Sequence, residues 1–175
     1  MNTILKRVLL CLLAFCFINQ CKQNKRKEGP LLIDVNVNSH LDSCTYTYTH
    51  DKYFCDSVSL DLFNNTDTAF SFWVMKCSWE RNWISNCDSI CVAPNNCFGD
   101  YPYLFKIQPK QTKTFKGILA FKEHEIKLDK EIYQLGFVLI MDGELSRDRD
   151  FDKVLNEKIK NKRDIIWSNF FGFKK

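Results

Sequence analysis

The segment SVSLDLFNNTDTAFSFWVMKCSW, residues 57–79, carries the clearest structural signal in the chain. Val58, Leu60 and Leu62 alternate with Ser57, Ser59 and Asp61, the period of a strand with one buried and one wet face. Asn64-Asn65-Thr66-Asp67 follows; Asn and Asp tolerate left-handed backbone and bond their own chain, so the strand ends in a turn. Residues 69–79, AFSFWVMKCSW, are aromatic and β-prone. The stretch predicts a β-hairpin, or a close relative of one, over 57–79.

Working outward, strand patterning continues on both sides. Residues 31–37, LLIDVNV, alternate from Ile33, and residues 44–50, CTYTYTH, place Tyr46 and Tyr48 on one face. Residues 80–103 read as a long loop, and a connection of that length is either functional or tied down. Leu104 to Gln108 reads as a strand, Pro109-Lys110-Gln111 as a turn, and Thr112 to Phe121 as another strand. Residues 132–141, IYQLGFVLIM, form the most hydrophobic segment after the leader and predict a central strand. Phe151, Val154, Leu155 and Ile159 switch to helical spacing, with Lys153, Lys158 and Lys160 off that stripe, so 151–162 predicts one amphipathic helix. Residues 165–173, IIWSNFFGF, predict a last strand. About seven short strands with one late α-helix point to a mainly β fold, an immunoglobulin-like antiparallel β-sandwich, over 31–175.

The 175-residue chain is 45% hydrophobic and 26% charged, which sustains a packed core and excludes wholesale disorder. Six Gly and four Pro exclude collagen-like and low-complexity classes. Lys and Arg number 25 against 21 Asp and Glu. The excess sits at the front: residues 29–175 hold 19 basic and 20 acidic side chains. A near-neutral body argues against a nucleic-acid partner.

The first thirty residues supply an address. Lys6 and Arg7 precede an unbroken apolar run from Val8 to Ile18, too short to span a bilayer and matched to the core of an export signal. Cys21 follows, so 1–20 reads as a lipoprotein-type signal helix and Cys21 as the lipid attachment site, with Cys16 competing and an uncleaved membrane anchor as the plainer alternative. Residues 21–30 then form the lipidated cysteine and a polar, basic, flexible tether. The expected location is the cell envelope, exported and lipid-anchored, at the outer membrane rather than the inner.

Cys44, Cys55, Cys77, Cys87, Cys91 and Cys97 remain in the body, an even set compatible with disulfides in an oxidising compartment. Six cysteines allow 15 connectivities. Cys44 and Cys55 flank a possible hairpin, while Cys87, Cys91 and Cys97 crowd a loop that can close onto Cys77. Their spacing repeats no zinc pattern, and no C-x-x-C is present. The reading calls for no metal and no cofactor.

Strand–Asn-Asn-Thr-Asp–strand, then IQPKQTKTFKGIL, LGFVLIM and a terminal IIWSN, resembles a family of Bacteroidota proteins, exported or lipid-anchored and built on an immunoglobulin-like sandwich. The resemblance spans about residues 57–170 and implies an envelope location and that fold. It brings no catalytic residues.

Candidate chemistry is sparse. His124-Glu125 lacks the second His of a zinc-protease helix, since that position is Leu128. His40 and His50 bracket the Cys44 strand, and Asp51 adjoins His50 with no nucleophile beside the pair. Asp148, Asp150 and Asp152 open like a calcium loop, but Lys153 and Ile159 occupy the positions that need Gly and Glu. Trp73, Trp79, Trp83, Phe98, Tyr101 and Tyr103 crowd one third of the sequence. Trp73 and Trp79 suit a sandwich core. Trp83, Phe98, Tyr101 and Tyr103 suit a rim that captures a partner. The expectation is a non-catalytic binding or accessory module for another envelope protein. A carbohydrate- or ligand-binding module using loop 80–103, with Trp83 and Tyr101 side by side, and a metal-assisted envelope enzyme are the alternatives.

Overall fold

The computed structural model describes residues 29–37, 42–45, 52–94, 99–122, 132–145 and 150–173. Cys16, Cys21, the basic tether 22–28, His40, His50, Asp51, Cys97, Phe98, His124 and Asp148 lie outside them. The described chain is mainly β, all its strand pairs antiparallel, and layered like a sandwich. None of its described helices is long and apolar enough to cross a membrane.

The first layer is built around β3 (Lys52–Asn64), whose inward side chains are the predicted Val58, Leu60 and Leu62, all essentially sealed from solvent. Strand β8 (Thr112–Lys122) runs along one edge of β3 from Tyr53↔Lys122 to Phe63↔Thr112. Two strands share the other edge: β1 (Leu31–Val37) opposite 58–64 and β2 (Asp42–Thr45) opposite 52–55. A short β6 (Ile90–Val92) extends the layer beyond β8.

The second layer contains β4 (Phe70–Met75), β5 (Trp83–Ser85), β7 (Pro102–Ile107), β9 (Leu135–Val138) and β10 (Ile165–Trp167). β9 pairs with β5 on one edge and β10 on the other. Just beyond β9, the Trp73 N–H donates to the Ile140 carbonyl at 2.7 Å, so β4 joins the same edge as β5. The 74–82 excursion interrupts that edge. Asn82, fully buried in the 3-10 turn Trp79–Asn82, repairs it by donating to the Val138 carbonyl at 3.0 Å and the Trp73 carbonyl at 3.2 Å. β7 pairs with β4 and forms the outer strand of this layer among the described residues.

The main core lies between the layers, with Leu60, Leu62 and Leu119 facing Phe72, Leu135 and Phe137. A second cluster lies outside the second layer, where helix α1 (Phe151–Asn161) sets Phe151, Val154 and Leu155 against Val138 and Ile140. Burial on both faces explains the continuous apolar run at 135–140. Asp150 caps α1 by accepting from the Asp152 N–H at 3.2 Å, a helix-start role that accounts for an acid here.

Two expectations change. Residues 57–79 are not a hairpin, because β3 and β4 belong to different layers and the 65–69 turn carries the chain across. Turn chemistry fixes a reversal, not the sheet that receives the next strand. Residues 80–103 are also not one open loop: they contain β5 and β6, and β7 begins at Pro102. The predicted 44–50 strand is described only as far as Thr45, within β2.

Candidate interaction surface

The sandwich has two dissimilar sides. On one, Asn169 spans the layers: its N–H reaches the Ile33 carbonyl at 3.4 Å, and its Oδ1 accepts from the Val35 N–H at 2.8 Å. That side chain covers the outer edge of β1. On the opposite side β7 has no second described strand beside it.

Register fixes which backbone groups of β7 are free. Trp73 points its N–H toward Ile140, so Phe72 and Val74 point toward β7 and pair with Phe105 and Tyr103. The Lys76 N–H to Tyr101 carbonyl bond, 3.0 Å, keeps the same alternation. Pro102, Leu104 and Lys106 therefore direct their main-chain groups outward. Pro102 has no N–H to direct, which suits an edge.

Aromatic rings lead from the core to this edge. Phe137 meets Phe72 at 5.2 Å between centroids, Phe72 meets Phe105 at 5.6 Å, and Phe105 meets Tyr103 at 6.0 Å. Phe105 also contacts Phe115 of β8, and Phe115 packs on Trp79 at 4.9 Å. Trp79 fits because β8 carries Gly117 there: a Cβ would come within 3.1 Å of the indole. Trp79 thus closes the core beneath the edge, while Tyr101 and Tyr103 remain 49% and 46% exposed.

Lysines frame these rings. The Lys76 Nζ donates to the Tyr101 hydroxyl at 2.9 Å and lies 5.0 Å from its ring centroid. That hydroxyl pushes the Lys76 ammonium above the ordinary lysine range. The Lys113 Nζ sits 5.6 Å from the Phe105 ring centroid. Lys106 is exposed on the other face of β7. Lys76, Lys106 and Lys113 form no ion pair with a described carboxylate.

The loop entering β7 is held at Asp100. Its carboxylate accepts from the Cys77 N–H at 2.9 Å and from the Ser78 hydroxyl. Burial works to raise the Asp100 pKa. The Ser78 hydroxyl, the Cys77 and Ser78 amides and the Arg81 charge outweigh it, holding the carboxyl below the usual range.

Of the expected rim residues, Tyr101 and Tyr103 stand together on β7 and its approach, and Phe98 lies outside the described residues. Trp83 is corrected to the core: it is 7% exposed, pairs with Phe137 in register and packs edge-on against that ring at 5.0 Å. The side-by-side Trp83–Tyr101 platform is therefore not formed. Lys113 has a signal in the sequence: a charge in the inward period of β8, two before Phe115, marks where that face leaves the core.

The cysteines divide. Of the six disulfide candidates, Cys55 and Cys77 are disulfide-bonded and Cys87 and Cys91 are free, while Cys97 lies outside the described residues. Cys44 sits in β2 opposite Tyr53, two positions from Cys55 on the partner strand. Burial pushes the Cys91 thiol up, away from thiolate. Among the described residues no group of three or more His, Cys, Asp or Glu gathers to hold a metal. Lys158, expected off the buried stripe of α1, is itself buried and bonds Glu144 at 2.8 Å and Asp164 at 2.6 Å. That pairing ties α1 to the segments following β9 and preceding β10.

The class of protein is thus a mainly β, antiparallel, sandwich-like one, with one side covered and the other, among the described residues, left without a covering strand. No family model and no curated protein matches the chain. Among solved structures it is similar to a FixG-related protein from Vibrio parahaemolyticus, at 11% identity and a TM-score of 0.38, over 85% of this chain and 99% of that one. A likeness that distant carries no function across.

Proposed function

We propose that the chain is an exported envelope lipoprotein, anchored through Cys21, whose sandwich binds another envelope protein and performs no catalysis. One observation carries the binding half of this reading: the open β7 side presents Tyr101 and Tyr103 beside Lys76 on a rigid two-layer frame. Exposed tyrosines backed by packed rings are strong partner anchors. The anchor rests on the leader and on the resemblance to exported Bacteroidota proteins.

The finer fold belongs to this reading. With β1, β3 and β8 taken as strands A, B and E, and β7, β4–β5, β9 and β10 as C′, C, F and G, the strand orders match an immunoglobulin-like arrangement. β6 is then an insertion between C and C′.

A photo-crosslinking side chain at Tyr103 in the native host is expected to capture a discrete envelope protein. The same group at Ile118, exposed on the outer face of β8, is expected not to. Equal capture at both positions, or none at Tyr103, overturns the binding reading. A palmitate analogue should label the chain, and the label should vanish in Cys21→Ala but persist in Cys16→Ala.

A further inference from the structure

We propose that the outer edge of β7 accepts an extended, acidic segment of a protein partner as an added strand. The inference rests on the binding reading above and supplies the partner's chemistry. Backbone geometry selects an extended segment. Leu104 and Lys106 each direct an N–H and a carbonyl outward, Pro102 adds a carbonyl, and no described group bonds them. An antiparallel or parallel strand satisfies such a row with main-chain bonds, leaving specificity to alternate side chains.

Charge selects the acidic character. Lys106 lies on one face of the edge and Lys113 and Lys76 on the other, and none is neutralised by a described carboxylate. A second copy of this chain would bring lysines against lysines, the arrangement by which natural edges resist self-pairing. An acidic segment turns that repulsion into complementarity. The rings add the pattern. Tyr103 and Phe105 share the inward face of β7, whereas Leu104 and Lys106 share the other. A strand that alternates acidic with apolar or aromatic residues sets its acids on the Lys106 face and its apolar side chains on the Tyr103 and Phe105 rings. Pro102 limits the donor row at one end, so the docked strand is short.

The test uses the full chain and a synthetic strand peptide of alternating Val and Glu. Its Val–Lys counterpart and anionic phosphatidylglycerol vesicles serve as competitors. In the free protein the Leu104 and Lys106 amides should exchange rapidly while Phe105 and Ile107 are protected. Saturating acidic peptide should slow exchange at Leu104 and Lys106 at least about tenfold. Lys106→Pro, which removes an outward N–H, and Lys106→Glu, which reverses a charge, should each abolish that slowing, and Lys106→Arg should keep it. If Lys106→Pro fails to fold, Lys106→Glu and the exchange pattern still decide.

Protection of Leu104 and Lys106 before peptide is added means the chain covers its own edge and overturns the proposal. So does equal binding of the Lys peptide, protection that tracks dimer formation, or protection by vesicles alone. Specific crosslinking at Tyr103 without acidic-peptide protection overturns this inference while leaving the binding reading intact.

Discussion

Asp100 shows how a single carboxylate shapes the open side. It pins the Cys77–Ser78 backbone to the residue just before Tyr101, so the tyrosine's position depends on its charge. Its folded pKa lies below the unfolded value of about 3.9, so its contribution is full above that value. The contribution is lost as pH falls through the depressed folded pKa. Asp100→Asn should reduce the unfolding free energy at pH 7 by about 1 kcal/mol. Denaturant titrations of the two proteins should converge once the pH falls far enough below the ordinary carboxylate range to protonate Asp100 in the fold, and a gap that persists there contradicts the role assigned. The aromatic residues show the limit of reading at this scale. Trp83 and Tyr103 have similar composition around them, yet one fills the core and the other meets solvent. What separates them is pairing: β5 lies against β9 inside the layer, and β7 is its outer strand.

At the level of elements, strands with one wet face were legible. The alternation at 58–62 and the helical stripe at 151–159 both emerge where periodicity put them, because each is a direct record of one-sided burial. The 80–103 region was not legible, since β5 and β6 are each three residues long and too short to show a period. Gly136 makes a sharper point about packing between elements. It sits in β9 opposite Trp167, where an added Cβ would lie 2.7 Å from Ile165 Cγ2 and 3.0 Å from the Trp167 ring. Gly136→Ala should cost about 2 kcal/mol by overpacking. Ile165→Ala should recover part of that loss in the double variant. A thermodynamic cycle that comes out additive contradicts this account of the contact.

Across the whole molecule, the layers are joined at places sequence alone did not reveal. Asn64 is fully buried at the end of β3, where its amide donates to the carbonyls of Thr68 at 2.8 Å, Ile107 at 3.1 Å and Gln108 at 3.2 Å. It links the crossover turn to the β7–β8 turn, which is why an Asn that reads as ordinary turn chemistry reports a change of layer. Asn64→Ala strips buried carbonyls of a donor and should cost about 3 kcal/mol, measured by urea unfolding. A loss below about 1 kcal/mol would assign those carbonyls other partners. The clasp at Asn169 has a mechanical meaning as well. Residues 29 and 30 lead straight into β1, which is held along its length by β3 and on its far edge by Asn169. Tension applied along β1 from the front of the chain is shared by many bonds at once, as in shear, instead of peeling them singly. A pull entering at residue 29 meets the β3 ladder and the Asn169 clasp first, while the β7 edge lies on the other side of the second layer.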